Sequence, residues 1–364
     1  MLSLYRLAWR PAAALIARTE ATTAHDRTIS MMRAVDGLAP VVAAAQALSE
    51  TAMPKRPVFV GGVHLPYPTI LAAGLVKGDG FASEDEALAA VRDGRDIVPG
   101  WRSAAAVVGP VELGSYTRYP RLGHEGRVLW RDSAAGWMQN RVGLRNPGAR
   151  AASAYLARHA ADLPPTWGLN LAVSPGLTEA DRGRQEVTEA ASLFGEAFAG
   201  LEAGPSWVTL NLSCPNTEDD PRGNQSADLA HELSAALVDI VDAPLWVKIG
   251  PDLSDEQLAG IVAALGRAGV AAVVATNTLG EPTPDGSATA GVSGSRLRPS
   301  ALRTVSRLKR IIDAAGLPLD IVGGGGILVG ADLRAFRAAG ARAAMLYTAL
   351  VLRGPLAPAL ILQE

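Results

Sequence analysis

The chain has 364 residues, 48% hydrophobic and 19% charged, so it can bury a large core and is not expected to be disordered. Its net charge of −2 argues against a nucleic-acid partner, because binding through phosphates needs a basic face. A single cysteine, Cys214, excludes a disulfide framework and a cysteine-based zinc site. The five histidines are scattered and lack HExxH spacing, so we expect no metal centre.

Residues 1–53 are predicted to be helical, with Ala, Leu and Met at helical spacing near 4–18 and 25–36. Three arginines are the only charges before Glu20, and apolar residues lie between them. No apolar run reaches the roughly 18 residues that span a bilayer, and the run at 11–17 is short for a secretory signal. We expect an amphipathic helical pair on a membrane surface; a pair packed on its own domain and an arginine-rich transit peptide are alternatives.

Residues 54–364 follow a helix-breaking segment, Met-Pro-Lys-Arg-Pro at 53–57, and are predicted to form one catalytic domain. In this part short β-rich runs alternate with helical stretches, a pattern typical of a parallel sheet with helical crossovers. Eight such units predict an α/β fold, a closed (β/α)8 TIM barrel with a small N-terminal helical extension. The predicted strands are Thr69–Ala72, Val111–Gly114, Trp167–Leu171, Val208–Leu212, Leu245–Ile249, Ala272–Thr276, Asp320–Gly323 and Ala344–Leu346.

Polar and glycine residues recur at the C-terminal ends of these predicted strands. They are Asn170, Asn211, Lys248, Asn277 and Gly325. The C-terminal face of a β/α barrel holds its active site, so these residues are expected to meet at one mouth.

The segment 211–217, Asn-Leu-Ser-Cys-Pro-Asn-Thr, follows the fourth predicted strand and carries two carboxamides, two hydroxyls and a thiol. Carboxamides both donate and accept, which suits a heterocycle with ring N–H and C=O groups. A thiol can act as a general base if its pKa falls from about 8.5 toward neutrality. A lone cysteine is more often a small buried hydrophobe. The polar neighbours of Cys214 favour the catalytic interpretation.

This segment resembles the catalytic segment of dihydroorotate dehydrogenases, FMN-dependent enzymes of pyrimidine (UMP) biosynthesis that oxidise dihydroorotate to orotate. The resemblance continues in family order over about residues 58–355. It includes Leu-Ala-Ala-Gly-Leu-Val-Lys at 71–77, Met-Gln-Asn-Arg-Val-Gly-Leu at 138–144, Val-Lys-Ile-Gly-Pro-Asp at 247–252, Ala-Thr-Asn-Thr at 275–278, Gly-Val-Ser-Gly at 291–294, Val-Gly-Gly-Gly-Gly-Ile at 322–327 and Leu-Tyr-Thr-Ala at 346–349.

The resemblance implies roles for individual residues. Cys214 is the implied catalytic base. The implied substrate ligands are Lys77, Asn140, Asn211, Asn216, Asn277 and Thr278. The implied FMN ligands are Ala73, Gly74, Lys77, Ser115, Asn170, Asn211, Lys248, Thr276, Ser293, Gly294, Gly325, Gly326, Tyr347 and Thr348.

The glycine-rich loop at 322–327 carries a second, physical argument for a phosphate site. Loops after strands seven and eight are the usual barrel phosphate site, because glycine lets backbone N–H groups approach the oxygens. Glycine runs alone usually mark a turn. Here the loop precedes a short helix, and Tyr347 and Thr348 follow the next strand. FAD is disfavoured because no Rossmann-type unit is present to hold an adenine half.

The electron acceptor is indicated by conflicting features. Cysteine as base resembles the soluble members of the family, whereas quinone-using, membrane-bound members usually have serine. The N-terminal extension resembles that of the quinone-dependent class 2 proteins, and Arg131 falls where they keep a quinone-site arginine. The extra N-terminal helices are not needed to close the barrel, whereas a cysteine in place of serine is a single substitution. We therefore expect a quinone acceptor and a peripheral position on the cytoplasmic face of the cell membrane; fumarate or NAD with a soluble cytoplasmic protein is the alternative.

Two segments depart from the family pattern: Gly-His-Glu-Gly-Arg at 123–127, and Glu-Asp-Asp-Pro-Arg-Gly-Asn at 218–224, expected to cover the substrate. Two rival functions stay open. One is another FMN-dependent dihydropyrimidine or dihydrouridine oxidoreductase, against which Lys77 and the asparagine set favour a carboxylated pyrimidine. The other is a flavin-free barrel lyase or isomerase with Lys248 as a Schiff base. A non-catalytic scaffold is disfavoured by the density of site motifs.

Overall fold

The computed structural model describes residues 2–175, 177, 180–212 and 226–364. Its helices in these ranges are α1 (Leu2–Arg18), α2 (Ala21–Asp36), α3 (Ala39–Ala52), α4 (Glu84–Arg92), α5 (Ser103–Val108), α6 (Ala149–Arg158), α7 (Ala180–Phe198), α8 (Ala227–Val238), α9 (Asp255–Arg267), α10 (Arg298–Ala315), α11 (Gly330–Ala338), α12 (Thr348–Arg353) and α13 (Ala357–Gln363), with one 3-10 turn at Ala160–Asp162. The strands are β1 (Val58–Val60), β2 (Val63–Leu65), β3 (Thr69–Leu71), β4 (Val111–Tyr116), β5 (Leu129–Asp132), β6 (Trp137–Asn140), β7 (Trp167–Ala172), β8 (Trp207–Asn211), β9 (Leu245–Ile249), β10 (Ala272–Ala275), β11 (Leu279–Pro282), β12 (Thr289–Gly294), β13 (Asp320–Gly324) and β14 (Ala343–Leu346).

Eight parallel strands close into a barrel in the order β3, β4, β7, β8, β9, β10, β13 and β14. The last strand pairs with the first, with Met345 opposite Ile70, so the sheet has no free edge. The predicted (β/α)8 barrel is confirmed, and each predicted strand lies within two residues of an observed one. The strands were predictable because both of their faces are buried, which makes them near-continuous apolar runs.

The N-terminal end of the barrel is closed by the β1–β2 hairpin. Its Val60, Val63 and Leu65 pack on inward-facing residues of the barrel strands. Among these are Trp207 and Trp246, whose rings stack with centroids 4.8 Å apart. Trp246 Nε1 donates to the Gly61 carbonyl at 2.9 Å. With this end filled, the barrel interior can open only toward the C-terminal ends of its strands.

Two of the outer helices begin with a side-chain cap. Helix α9 starts with a capping box in which the Ser254 hydroxyl accepts from the Gln257 N–H and the Gln257 side chain accepts from the Ser254 N–H. Helix α4 is capped by Ser83, whose hydroxyl accepts from the Glu86 N–H. These caps satisfy backbone N–H groups that have no partner within the first turn of each helix.

The N-terminal extension has three helices, whereas we predicted a pair. Helix α3 begins directly after Leu38 with Pro40 in its first turn, where the missing N–H of proline costs nothing. Helix α1 is fixed to the barrel by Tyr5 Oη, which donates to the Arg353 carbonyl at 2.9 Å, and by Trp9 Nε1, which donates to the Leu352 carbonyl at 3.3 Å. Helix α2 packs over β5 and α5.

A second sheet of four antiparallel strands was not predicted. It has the order β11, β12, β6, β5 and lies on loops that follow barrel strands β4 and β10. Its strands have four to six residues and weak alternation, so they were hidden inside loop sequence. The register sets Gly291 opposite Asn140 and Ser293 opposite Met138, which joins two predicted site motifs.

Candidate active site

A pocket opens at the C-terminal ends of the barrel strands, under the antiparallel sheet. Residues from both sheets and from the connecting loops line it. Those predicted as substrate or cofactor ligands are Ala73, Gly74, Lys77, Ser115, Asn140, Asn211, Lys248, Thr276, Asn277, Thr278, Ser293, Gly325, Gly326, Tyr347 and Thr348. The structure therefore brings these widely separated motifs together at the mouth.

Four predicted residues are not among the lining residues. Cys214 and Asn216 lie outside the described residues. Asn170 is fully buried inside the barrel, on a strand whose neighbours reach the mouth. Gly294 lies one residue past the lining residue Ser293, and a side chain there would strike the Gly136 carbonyl oxygen.

The asparagines form a connected row. Asn211 Nδ2 donates to Ser115 Oγ at 3.3 Å, and Asn277 Nδ2 donates to Asn211 Oδ1 at 3.3 Å. Asn277 Oδ1 accepts from the Thr278 N–H at 2.8 Å. The Thr278 N–H can only donate, so it fixes the orientation of the Asn277 amide and, through it, that of Asn211.

The electrostatics of the pocket favour an anion. Lys77 and Lys248 both reach the lining, and no aspartate or glutamate does so among the described residues. Lys248 is 9% exposed, which places its charge in a poorly hydrated wall where it acts more strongly than in water.

The glycine-rich loop after β13 forms a cradle. Gly325 and Gly326 have φ of +112° and +86°, in the left-handed half of the map that side chains avoid. A Cβ at Gly326 would strike the Gly294 carbonyl oxygen and lie 2.5 Å from Arg298 Cβ. Opposite the loop, Thr348 Oγ1 donates to Ser293 Oγ at 2.9 Å. Backbone amides and hydroxyls at a closely approachable loop suit a phosphate.

The loop is shaped from behind by Asp332, a buried residue in the first turn of α11. Its carboxylate accepts from the N–H groups of Leu328 and Val329 at 2.9 and 3.1 Å, and from Arg298 Nη1 at 2.6 Å. As an acidic residue in the first turn of α11, Asp332 also lies at the positive end of the helix dipole.

Below the mouth, Asn170 carries a buried polar atom without a partner. Its Nδ2 donates to Glu112 Oε1 at 2.7 Å, while its Oδ1 is buried with no hydrogen-bond partner. Buried acceptors are rarely left unpaired, because losing hydration without compensation costs about 1–3 kcal/mol. An N–H-bearing ring at the pocket floor would satisfy this oxygen.

An apolar cavity adjoins the pocket, enclosed by the three N-terminal helices, α5 and α12. The two spaces share His25, Leu129, Met138 and Tyr347 as lining residues. The rest of the cavity is lined largely by hydrocarbon, including Trp9, Ile16, Met31, Val35, Val42 and Val107. A hydrophobic molecule in this cavity would reach the edge of the polar pocket.

His25 and Arg131 are the polar groups of this junction. Burial lowers the pKa of His25 below its ordinary value, with Asp26 opposing the shift, so the ring is neutral at pH 7. Arg131 lines the cavity and donates through Nη2 to the carbonyls of Ile16 and Thr19, at the C-terminal end of α1. Arg131, which the sequence predicted as a quinone-site arginine, therefore lines the apolar cavity.

Among the residues that the structure describes, no three His, Cys, Asp or Glu side chains come together as a possible metal site. No single helix in these ranges is long and apolar enough to cross a membrane; α2 and α3 are so only as a pair, which is bent by 105°.

The closed barrel, with polar residues, a glycine cradle and two lysines at its C-terminal mouth, has the architecture of a (β/α)8-barrel enzyme. A family model described as dihydroorotate dehydrogenase matches residues 100–364. Two proteins named dihydroorotate dehydrogenase (quinone) are similar along most of the chain. That of Bordetella parapertussis is 32% identical, over 92% of this chain and 90% of its own, and that of Mycobacterium bovis is 31% identical, over 91% and 85%.

The chain belongs to the dihydroorotate dehydrogenase family and is an oxidoreductase. The fold agrees with this: a crystal structure of DHODH from Eimeria tenella in complex with ferulenol superposes with a TM-score of 0.74. It is 21% identical, and the match covers 97% of this chain and 93% of that one.

Proposed function

We propose that this protein oxidises dihydroorotate to orotate with bound FMN and passes the electrons to a quinone at a membrane surface. The observation that carries the proposal is the junction of two unlike spaces. A polar, lysine-lined pocket shares His25, Leu129, Met138 and Tyr347 with an apolar cavity under the N-terminal helices. A charged substrate and a hydrophobic acceptor can thus approach one redox group from separate sides.

Dihydroorotate matches the chemistry of the polar pocket. It is a carboxylated pyrimidine ring with N–H and C=O groups, so it needs one cation and several amides. Lys77 would pair with its carboxylate, while Asn140, Asn211 and Asn277 would hold the ring amides. Asn140 is positioned by the antiparallel sheet, where its Nδ2 donates to the Gly291 carbonyl at 3.4 Å.

FMN fits the remaining part of the pocket. The phosphate would lie on the backbone amides of Gly325 and Gly326 and near Thr348, since side chains are excluded there. Lys248 and Asn170 would contact the FMN ring, and a ring N–H would donate to the unpartnered Asn170 oxygen. When bound, FMN supplies the acceptor for the hydride that leaves C6 of the substrate.

Cys214 is proposed as the base that removes the C5 proton. The described chain reaches Leu212 and places Asn211 in the pocket wall. Cys214 lies outside the described residues, and its position three residues after Asn211 supports the proposal because three residues of extended chain span at most about 10 Å. A general base of this kind typically contributes about 10²–10⁴-fold to rate.

The membrane and the quinone are proposed from the surface of the extension. Large apolar side chains that are about half or more exposed are concentrated on α1, α2 and the start of α3; they include Leu4, Leu7, Leu15, Met31 and Leu38. A surface that combines such residues with arginines binds lipid reversibly. We propose a peripheral position on the cytoplasmic face of the membrane, where quinone can enter the apolar cavity from lipid.

One experiment tests the dehydrogenase half of the proposal. The purified protein should be yellow with an FMN spectrum, and dihydroorotate should bleach it under anaerobic conditions. A colourless protein that binds no FMN would contradict the proposed cofactor. It would favour instead a flavin-free lyase that uses Lys248.

A second experiment tests the acceptor half. Deleting residues 1–40 should abolish quinone reduction and liposome binding while dihydroorotate still bleaches the flavin. If the full-length protein ignores quinones and turns over with fumarate or NAD, the cysteine was the better guide to the acceptor.

A further inference from the structure

A buried carboxylate lies inside the barrel beneath the pocket. Glu112, on β4, is fully buried and takes part in three hydrogen bonds. Its Oε1 accepts from Asn170 Nδ2 at 2.7 Å, and its Oε2 accepts from Trp207 Nε1 at 3.0 Å and from Thr209 Oγ1 at 2.6 Å. All three partners donate, which matches the acceptor-only inventory of an ionised carboxyl group. The proposed reaction leaves this residue without a role.

We propose that Glu112 is a positioning residue: it fixes the amide of Asn170 so that the carbonyl oxygen, and not the NH2 group, is presented to the ring N–H of FMN. The inference rests on the proposed FMN function. It concerns how this chain sets the polarity of one cofactor contact.

Glu112 sets the orientation of the Asn170 amide. An asparagine can turn its side chain by 180° and exchange oxygen for nitrogen, so a neighbour must choose between the two. Because Glu112 Oε1 only accepts, the group of Asn170 that faces it has to be the NH2. The Asn170 oxygen must then face away from Glu112, and this oxygen is buried and unpartnered.

The barrel register gives the position of Asn170 relative to the pocket. In the barrel register Asn170 lies opposite Gly114 on one side and Thr209 on the other. Ser115 follows Gly114, and Asn211 lies two residues after Thr209; both line the pocket. Asn170 therefore lies one to two residues below these lining residues, toward the interior of the barrel. The FMN ring system has a single ring N–H, at N3, which is a donor for this acceptor.

Trp207 makes the role of Glu112 testable. An indole N–H can only donate, so in Glu112→Gln the new side chain must keep its carbonyl toward Trp207. Its NH2 then faces Asn170, which has to turn over and accept. The substitution thereby presents a donor where an acceptor had been, although it is nearly isosteric and Glu112 is not itself a lining residue of the pocket.

The test measures FMN binding to apoprotein by flavin fluorescence, together with the visible spectrum of the bound flavin. Glu112→Gln should weaken FMN binding by about 10- to 100-fold, the range for an unpaired buried donor, and should shift the spectrum. The double variant Glu112→Gln, Asn170→Asp swaps the polarity of the pair: glutamine donates to aspartate, whose other oxygen is again an acceptor. FMN affinity should return to within about fivefold of wild type.

Thr209→Val is the matched control, because it removes a donor to Glu112 but leaves Asn170 facing an acceptor. It should lower thermal stability and change FMN affinity by less than about threefold.

Wild-type FMN affinity in a folded Glu112→Gln variant would overturn the positioning role. If Glu112→Gln does not fold, the double variant decides: a folded protein with near-native FMN affinity supports the pairing, and one still weakened more than tenfold overturns it. If the wild-type apoprotein binds no FMN, the proposed function itself fails, which is a separate outcome.

Discussion

At the scale of single residues, the site depends on positions where a side chain is excluded. Gly326 combines a positive φ with contacts that leave no room for a Cβ. The same space is where a cofactor phosphate would meet backbone N–H groups. The family motif and the local geometry therefore both indicate that position 326 requires a residue without a side chain.

Gly326→Val should yield apoprotein. The side chain would collide with the Gly294 carbonyl and the Arg298 stem and would also strain the backbone. The measurement is the ratio of flavin to protein absorbance after purification. Gly286→Val is a control, since that glycine also has positive φ but meets nothing within 4 Å. Full flavin content in Gly326→Val would refute the placement of the phosphate.

Cys214→Ala tests the proposed base. The variant should keep FMN and orotate binding but slow flavin reduction by dihydroorotate by about 10²–10⁴-fold. Stopped-flow bleaching under anaerobic conditions measures this step separately from reoxidation. Cys214→Ser should be as slow as the alanine variant near neutral pH and should recover part of the rate at high pH, where a hydroxyl loses its proton more readily. Unchanged reduction in the alanine variant would remove Cys214 from the mechanism.

At the scale of elements, the docking of α1 links the extension to the barrel. Tyr5 and Trp9 donate to carbonyls at the end of α12, and Arg6 pairs with Glu364 at 2.7 Å. Glu364 also pairs with Arg353 at 2.5 Å, so one carboxylate joins α1, α12 and α13. Exposed pairs of this kind contribute little singly, so the aromatic contacts are expected to dominate.

Trp9→Ala should loosen α1 and open the apolar cavity, because the indole both lines that cavity and hydrogen-bonds the Leu352 carbonyl. Reduction of a soluble short-chain quinone should fall by more than tenfold, while anaerobic bleaching by dihydroorotate changes less than about threefold. Leu4→Ala is the comparison, since Leu4 is 72% exposed and should leave the soluble-quinone rate unchanged. Equal losses in both half-reactions would show that α1 supports the barrel as a whole.

At the scale of the whole molecule, stability should depend on pH through Asp96. Burial raises its pKa to about 6, with Asp36 adding to the shift and the Tyr155 hydroxyl opposing it. A carboxyl group whose folded pKa is raised stabilises the fold below its unfolded pKa of about 3.9, and this stability is lost as pH rises through about 6. The loss is on the order of 1–3 kcal/mol.

Asp96→Asn should remove this dependence. The difference in stability between the variant and wild type should therefore shift in favour of the variant as the pH rises from 4 to 8. Thermal unfolding across pH 4–8 measures it. Tyr155→Phe removes the hydroxyl bond at 2.9 Å that lowers the Asp96 pKa, so the loss of stability should move to higher pH. Parallel profiles for wild type and Asp96→Asn would show that Asp96 does not titrate in this range.

The amino-acid sequence by itself determined the barrel, because each barrel strand is a short apolar run and each crossover carries its own caps and breakers. It also determined which residues reach the mouth, since strand ends such as Asn211 and Lys248 are local features. Only the tertiary structure decided the antiparallel sheet and the third N-terminal helix. These weakly patterned segments are stabilised by distant partners. The structure likewise placed Asn170 beneath the mouth and paired it with Glu112, because a hydrogen bond between residues 58 positions apart leaves no local pattern.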